Sequence, residues 1–283
     1  MKASVAGYAR AQSLDHAFSL LDSADGEAVV IAGGQSLVAS LNLRLSEQAL
    51  LVDIGHLPEL RGIAVRDRVL RLGALTRHAE LAGNQLVSEH VPLLAQAAPL
   101  IAHAAIRSRG TLGGSLANAD PAAELPACMV ALGAEIIVRG VEGERSIPAD
   151  AFFEGLFTTA LEVGEIITAV EIPVKADNDQ HVIKELTRRS GDYAIVGLAA
   201  AKRSLGLRLA YFGVSDKPVL AAGAMDVLNA GGSIDAAVTA LQSDLDPESD
   251  PHASAEYRRH LAAVLLRRVL AELTNPQTHM EHA

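Results

Sequence analysis

Cysteine is nearly missing from this sequence: Cys128 is the only one in 283 residues. A single thiol forms no internal disulfide and cannot hold an iron–sulfur cluster, which needs about four thiolates. Cys128 lies in the apolar stretch 125–132 and reads as a packed thiol rather than a nucleophile, a pattern suited to a reducing compartment. Tryptophan is absent, and the aromatic side chains are four tyrosines and five phenylalanines, so each one in a polar setting carries information. Basic charge is scarce too. With a formal net charge of −10 and no stretch that concentrates lysine and arginine beside aromatics, a nucleic-acid surface is not expected. No apolar run approaches the ~20 residues of a membrane span. Residues 1–17 are polar, unlike the basic-then-apolar form of a signal peptide. His56, His78, His103 and His181 have neither H-E-x-x-H spacing nor a cysteine companion, so no metal site is expected. The remaining composition, 49% apolar and 20% charged, is that of a folded chain expected to be soluble and cytoplasmic.

What the chain does have is two glycine-bearing segments far apart, Ala32-Gly33-Gly34-Gln35-Ser36-Leu37 and Thr111-Leu112-Gly113-Gly114-Ser115-Leu116. The first follows Ala28-Val29-Val30-Ile31, a short apolar, β-branched run that reads as a buried strand, so Gly33-Gly34 opens a tight turn at a strand end. Glycine there reaches positive φ without a Cβ penalty and lets peptide N–H groups approach an anion. Ser36 adds a hydroxyl at the start of the next helix. Neither segment is a G-x-G-x-x-G or a P-loop, and a lone Gly-Gly is commonly a plain turn; the pair points to a clamp on a diphosphate.

Along the chain, Ser13 is placed to cap a helix over 14–23 with Leu14, Ala17, Phe18 and Leu21 on one face. Strands are expected over 50–54, 63–65 and 69–72, and helices from Thr76 through Leu81 and from Val91 to about His103, ending before the basic run Arg107-Ser108-Arg109-Gly110. After the second glycine segment, Asn118-Ala119-Asp120-Pro121-Ala122-Ala123-Glu124-Leu125-Pro126 reads as a polar turn leading into an apolar helix over 127–132. Strands over 135–139, 144–147 and 166–172 precede a linker over 173–180 with Asp177-Asn178-Asp179. Beyond it come strands near 181–188, 194–203 and 207–214, then helices near 221–229 and 234–242. The last helix, from about 254 to 273, carries a stripe of Leu261, Leu265, Val269 and Leu273. No internal repeat is present, and the pattern is mixed α+β.

The two glycine segments and their surroundings resemble the flavin-carrying medium subunit of the molybdenum hydroxylases, the group that includes aerobic carbon monoxide dehydrogenase and the quinoline, nicotine, nicotinate and caffeine dehydrogenases. In that family an A-G-G-[HQ]-S-[LF] loop and a T-[IL]-G-G-[SN]-[LV]-A-[NH]-[AG]-D-P run hold the FAD diphosphate from two sides. The likeness covers nearly the whole chain. It includes 72–81 (G-A-x-T-x-H-A-E-L), 152–157 (F-F-x-G-x-[FY]), 164–168 (G-E-[IL]-[IL]-T), 184–194 (K-x-x-x-R-x-[AS]-x-D-[YFW]-A) and 254–258 (S-x-[ED]-Y-R). Gln35 stands where carbon monoxide dehydrogenase relatives often carry histidine.

The resemblance implies a two-subdomain FAD-binding fold of the vanillyl-alcohol-oxidase type over residues 1–176, with subdomains at about 1–56 and 57–176. A smaller α+β C-terminal domain follows over 177–283. It implies FAD contacts from Ile31, Ala32, Gly33, Gly34, Gln35, Ser36, Leu37, Gly110, Thr111, Gly113, Gly114, Ser115, Asn118, Ile167 and Asp192. It places Asp120 and Glu124 at the sugar end, with helix capping as their alternative. Tyr193 is implied as the cover of one isoalloxazine face and Ile101 as packing on the other, core packing being the alternative for both. Lys184 is implied near the pyrimidine side, a solvated lysine being its alternative. The expected role is electron transfer. A large subunit with molybdopterin cytosine dinucleotide oxidises the substrate, and a small subunit with two [2Fe-2S] clusters relays electrons. The medium subunit's FAD passes them to an acceptor, in a dimer of heterotrimers. Two other classes stay open at the level of sequence: a stand-alone FAD oxidase or reductase with the same cradle, and a scaffold that has lost FAD.

Overall fold

The computed structural model describes residues 5–24, 26–45 and 48–274. Its first unit is a small parallel sheet of β1 (Val5–Arg10), β2 (Ala28–Ile31) and β3 (Gln48–Asp53) in the order β1-β3-β2. Parallel strands need crossovers, supplied by α1 (Leu14–Ser23) and α2 (Leu37–Asn42). Helix α1 starts where the hydroxyl of Ser13 accepts the His16 N–H, and it buries Leu14, Ala17 and Phe18, as the spacing predicts. The register sets Arg10 and Ile31 level with Asp53, so all three strands release their loops at one edge. Strand β2 departs from the sequence reading: it is half-buried along its length, because it is an edge strand.

The second unit is an antiparallel sheet of β4 (Ile63–Arg66), β5 (Val69–Gly73), β6 (Glu135–Gly140), β7 (Gly143–Pro148) and β10 (Ile166–Pro173), in the order β4-β5-β10-β6-β7. Between β5 and β6 run α3 (His78–Gly83), α4 (Gln85–His90), α5 (Pro92–Ala97), α6 (Ala104–Arg107), α7 (Leu112–Asn118) and α8 (Glu124–Leu132). After β7 come α9 (Ala149–Phe152) and the hairpin β8 (Phe153–Gly155) with β9 (Thr158–Thr159). The helices depart from expectation in several places: α3 lies over 78–83 rather than 76–81, and α4 forms where no helix is expected. Helix α5 stops at Ala97 rather than near His103, the chain turns through Ala102 at φ 40°, and a separate α6 forms up to Arg107. Arg107 makes this possible by donating to the carbonyls of Ile101 and Ala102, both at 2.8 Å. Helix α8 begins at Glu124, three residues early, since Pro126 is tolerated in a first turn that needs no N–H there.

The third unit is a meander of β11 (Gln180–Leu186), β12 (Val196–Arg203), β13 (Gly206–Phe212) and β14 (Val219–Leu220), followed by α10 (Ala222–Asn229), α11 (Ile234–Asp244) and α12 (Ala255–Thr274). Its side chains alternate as a two-faced sheet requires. Val182, Leu198, Ala200, Leu209 and Tyr211 join Leu261, Leu265, Val269 and Leu273 of α12 in one core. Ile183, Ala199, Ala210 and Phe212 face the other way and share a core with α8 and the second sheet. Helix α8, Cys128 included, is therefore buried along every residue, the mark of a helix enclosed on all sides. No helix among the described residues is long and apolar enough to cross a membrane.

The seam between the second and third units holds an anomaly. His181 on β11 is 5% exposed, its carbonyl accepts from Gln96 of α5, and neither ring nitrogen has a partner among the described residues. Burial, reinforced by Arg203 and Lys175 against the pull of Asp179, lowers its pKa from 6.5 to about 4. The unfolded chain thus takes up a proton below pH 6.5 that the fold refuses until about pH 4, and stability present above 6.5 is lost in that window. The slope contributed is at most about 1.4 kcal/mol per pH unit. Thermal unfolding of His181→Gln against the native protein should show the variant gaining relative stability from about pH 7 down to about pH 4.5. Parallel pH profiles would contradict this account.

Candidate functional site

The edge where β1, β2 and β3 end is where the first glycine loop leaves Ile31. Gly34 takes φ 72°, and the Gln35 side-chain amide donates to the Gly33 carbonyl at 3.0 Å, closing the turn on itself. The N–H groups of Gly33, Gly34, Gln35 and Ser36 find no acceptor among the described residues. Ser36 precedes α2 without capping it, which leaves its hydroxyl uncommitted. Successive unpaired amides in a turn form a concave donor surface suited to an anion.

The second glycine segment packs directly against the first. A Cβ on Gly33 would sit 2.4 Å from the Arg109 carbonyl oxygen and 3.1 Å from the Gly110 Cα. Beneath the second segment lies the 72–81 stretch. The His78 N–H donates to the Gly110 carbonyl at 3.0 Å, and Nε2 of the buried His78 ring lies 3.0 Å from the Thr111 carbonyl, which fixes the proton on Nε2. Burial lowers the His78 pKa and keeps the ring neutral. A Cβ on Gly110 would strike that ring at 2.8 Å, and one on Gly113 would meet Ala74 at 2.7 Å. The amides here are already used: Gly113 donates to Ala74, Gly114 to the Thr111 hydroxyl, and Ser115 to the Thr111 carbonyl. Glycine in the second segment therefore serves close packing, while the unpaired donors come from the first.

Arg61, Arg77 and Arg109 gather at the same edge, a convergence that the sequence spacing did not reveal beyond the basic run before Gly110. Arg61 donates to Gly55 at 2.7 Å, Gly55 approaches the Ala32 carbonyl, and Arg77 donates to the Arg109 carbonyl. Burial first, then the neighbouring charges of Arg61 and Arg109, lower the Arg77 pKa. None of the three is ion-paired among the described residues. In a chain of net charge −10, this is a local reversal of sign beside unpaired amides.

A second group of predicted residues meets around the turn after α7. Asp120 accepts from the Ala122 N–H at 2.9 Å, so it shapes its own turn rather than capping α8, and the Tyr193 hydroxyl lies close to it. Tyr193 is 70% exposed, an aromatic side chain left largely open beside this turn. Desolvation at the hydroxyl and then the charge of Asp120 push its pKa up to about 12. Glu124 is buried, and desolvation raises it to about 8, with Glu185 and Asp120 adding to the effect, so it is protonated at neutral pH. Glu185 rises to about 7 by desolvation, and its Oε2 is buried without a partner among the described residues. Cys128, fully buried, is held far above its ordinary value by desolvation and by these acids, which makes it inert as a nucleophile. Gly191 lies against this assembly. A Cβ there would touch His103 at 2.8 Å and the Ala102 carbonyl at 3.0 Å, bringing the Asp192-Tyr193 loop onto the turn that contains the buried Ile101.

The remaining predicted residues spread outward. Asn118 ends α7 and is half-buried. Ile167 is buried on β10, next to Thr168, whose carbonyl accepts the Ala74 N–H beneath the second segment. Lys184 is neither solvated alone nor free, because its ammonium is 2.7 Å from Glu272 of α12.

FAD fits this donor set: unpaired amides and unpaired guanidiniums for the diphosphate, acids beyond them, and an exposed aromatic side chain. The comparisons agree. A family described as "FAD binding domain in molybdopterin dehydrogenase" matches residues 3–175, and "CO dehydrogenase flavoprotein C-terminal domain" matches residues 181–273. The 6-hydroxypseudooxynicotine dehydrogenase complex subunit alpha of Paenarthrobacter nicotinovorans is 38% identical over 94% of this chain and 93% of its own. Among solved structures, carbon monoxide dehydrogenase from Hydrogenophaga pseudoflava superposes with a TM-score of 0.93 at 32% identity, covering 96% of this chain and 98% of that one. Quinoline 2-oxidoreductase from Pseudomonas putida 86 gives 0.90 at 35% identity, covering 98% and 99%. The chain belongs to the FAD-binding medium subunits of the molybdenum hydroxylases, oxidoreductases in which this subunit serves electron transfer.

Two outcomes follow from the geometry. Gly33→Ala should drive the glycine segments apart and cut FAD retention by about tenfold or more, read as flavin per chain in the purified complex. Gly83→Ala, with nothing within 4 Å of the new methyl, should retain FAD normally. Equal retention by both variants would contradict the packing account. For Glu185, the unfolded chain loses its proton near 4.5 while the fold holds it to about 7, so stability present below 4.5 declines as pH rises through that window. Glu185→Gln should therefore raise the melting temperature more at about pH 8 than at about pH 5. A pH-independent difference would contradict the burial account.

Proposed function

We propose that this chain works in the cytoplasm as the flavin module of a three-component hydroxylase. The partners are a large subunit carrying molybdopterin cytosine dinucleotide and a small one carrying two [2Fe-2S] clusters, assembled as a dimer of heterotrimers. The chain divides into an FAD-binding domain over 1–176, itself split near residue 56, and a C-terminal domain over 177–283. The separate family matches over 3–175 and 181–273 support the main division. Relatives named as a complex subunit and as medium chains support a subunit over a stand-alone oxidase or reductase.

The observation that carries the reading is the run of amides from Gly33 to Ser36 that find no acceptor among the described residues, with Gly33 packed against the second glycine segment. Bound FAD supplies the redox chemistry, accepting electrons from the iron–sulfur side and releasing them to an acceptor. The chain's own groups bind and orient. Ile31 to Leu37 grip the diphosphate, Gly110 to Ser115 pack against that loop and hold it in place, and Arg61, Arg77 and Arg109 oppose the charge. Asn118, Asp120 and Glu124 serve the sugar end, where the protonated Glu124 donates a hydrogen bond. Tyr193, beside Asp192, covers the ring, with Ile101 and Ile167 packing behind it. Lys184 acts from its ion pair with Glu272.

The test is purification of the complex from cells that co-express its subunits. Stoichiometric FAD, a molybdopterin chain and an iron–sulfur chain should copurify. Tyr193→Ala should weaken FAD retention about threefold to tenfold, the worth of an aromatic stack, and leave the partners' centres in place. A flavin-free complex, or a flavoprotein with no partner chains, would overturn the reading.

A further inference from the structure

The C-terminal helix reaches into the site through a residue outside the proposed binding set. Arg258, in the second turn of α12, is 8% exposed. Its Nη1 donates to the carbonyls of Ile195 at 2.5 Å and Gly213 at 2.8 Å, and its Nη2 donates to Asp250 at 2.5 Å. Asp250 is fixed in turn, since its Oδ1 accepts from the N–H groups of His252 and Ala253 at 2.8 and 2.9 Å. The guanidinium therefore arrives in one orientation.

The two carbonyls it joins belong to the segments that carry the site. Ile195 lies two residues after Tyr193. Gly213, at φ 75°, donates its N–H at 2.9 Å to the carbonyl of Pro121, the neighbour of Asp120. A Cβ on Gly213 would sit 2.9 Å from the Ile195 carbonyl, so the two strands approach closely and their oxygens converge on the same cation. The Tyr193 hydroxyl comes close to Asp120, which completes the circuit. Arg258 leads to Ile195 and Tyr193, Tyr193 to Asp120, Pro121 to Gly213, and Gly213 back to Arg258. Carbonyl dipoles aimed at one another repel, and a buried carbonyl left without a donor is costly. The guanidinium therefore stabilises the approach of these two carbonyls.

We infer that Arg258, oriented by Asp250, is a positioning residue that sets the Tyr193 ring relative to the Asp120 turn and so presents a preformed aromatic cover to the flavin. The inference rests on the FAD reading above, with Tyr193 as the cover. A lysine at 258 carries the charge but cannot span two carbonyls and a carboxylate in the fork geometry of a guanidinium. Arg208 provides a control: it also ties the third unit to the second, through Val130 at 2.8 Å and Asp150 at 2.5 Å, without entering the circuit.

The experiment measures FAD release and melting temperature in the purified complex for Arg258→Lys, Asp250→Asn, Tyr193→Ala and the two double variants with Tyr193→Ala. Arg258→Lys should speed release about tenfold, and Asp250→Asn, which disorients the guanidinium but keeps its donors, about threefold. Once Tyr193 is gone, either change should add less than about twofold, because both act through that ring. Arg208→Gln should lower the melting temperature with FAD release unchanged. If Arg258→Lys and Tyr193→Ala multiply independently, or Arg258→Lys shifts only the melting temperature, the inference is overturned and the FAD reading stands. Should Arg258→Lys fail to assemble, Asp250→Asn decides by the same criteria. If Tyr193→Ala itself leaves release unchanged, the role of Tyr193 and this inference fall together.

Discussion

Gly33 and the Arg109 carbonyl meet so closely that a methyl group between them would lie 2.4 Å from the oxygen, and the two glycine segments can pack together because that methyl is missing. Backbone against backbone is the tightest joint a chain can make. Here it locks the carboxyl edge of a parallel sheet to a helical layer built on an antiparallel one. Everything on the cofactor side follows from this joint. It fixes the first loop with its amides turned outward, and it draws the Arg109 carbonyl into reach of Arg77. His78 and Ala74 support it from below, through contacts that any side chain at Gly110 or Gly113 would break.

Electrostatics then divides the cleft. At one end, unpaired guanidiniums and amides accumulate positive potential in a chain that is acidic overall. At the other, burial keeps Glu124 protonated and draws Glu185 close to neutrality, so acids are present without the full cost of buried negative charge. The proposed diphosphate site lies at the first end and the proposed sugar site at the second. This division of charge suits a dinucleotide, and the exposed Tyr193 beside Asp120 offers an aromatic surface for its ring.

Much of this was legible in the sequence because it is local. The Ser13 cap, the α12 stripe and the strand that delivers Gly33 depend on residues a turn or two apart, where spacing and burial are coupled. Other features depend on what lies across the fold. β2 is only half-buried because of its place at a sheet edge, and α6 exists because Arg107 satisfies two carbonyls that spacing does not foretell. The meeting of Arg61, Arg77 and Arg109 is a product of topology. So is the reach of Arg258 to Ile195 and Gly213, although 254–258 stood out as a segment. The nature of the cofactor came from likeness to a family rather than from spacing, and the structure adds the reasons its residues suit that cofactor.

The most direct test of the central claim is a density map of the FAD-loaded complex at a resolution that separates phosphate from sugar. The account predicts phosphate oxygens at about 3 Å from the amides of Gly33 to Ser36, with the Gly33–Arg109 backbone contact intact beneath them. A diphosphate bound elsewhere, with those amides facing water, would contradict it.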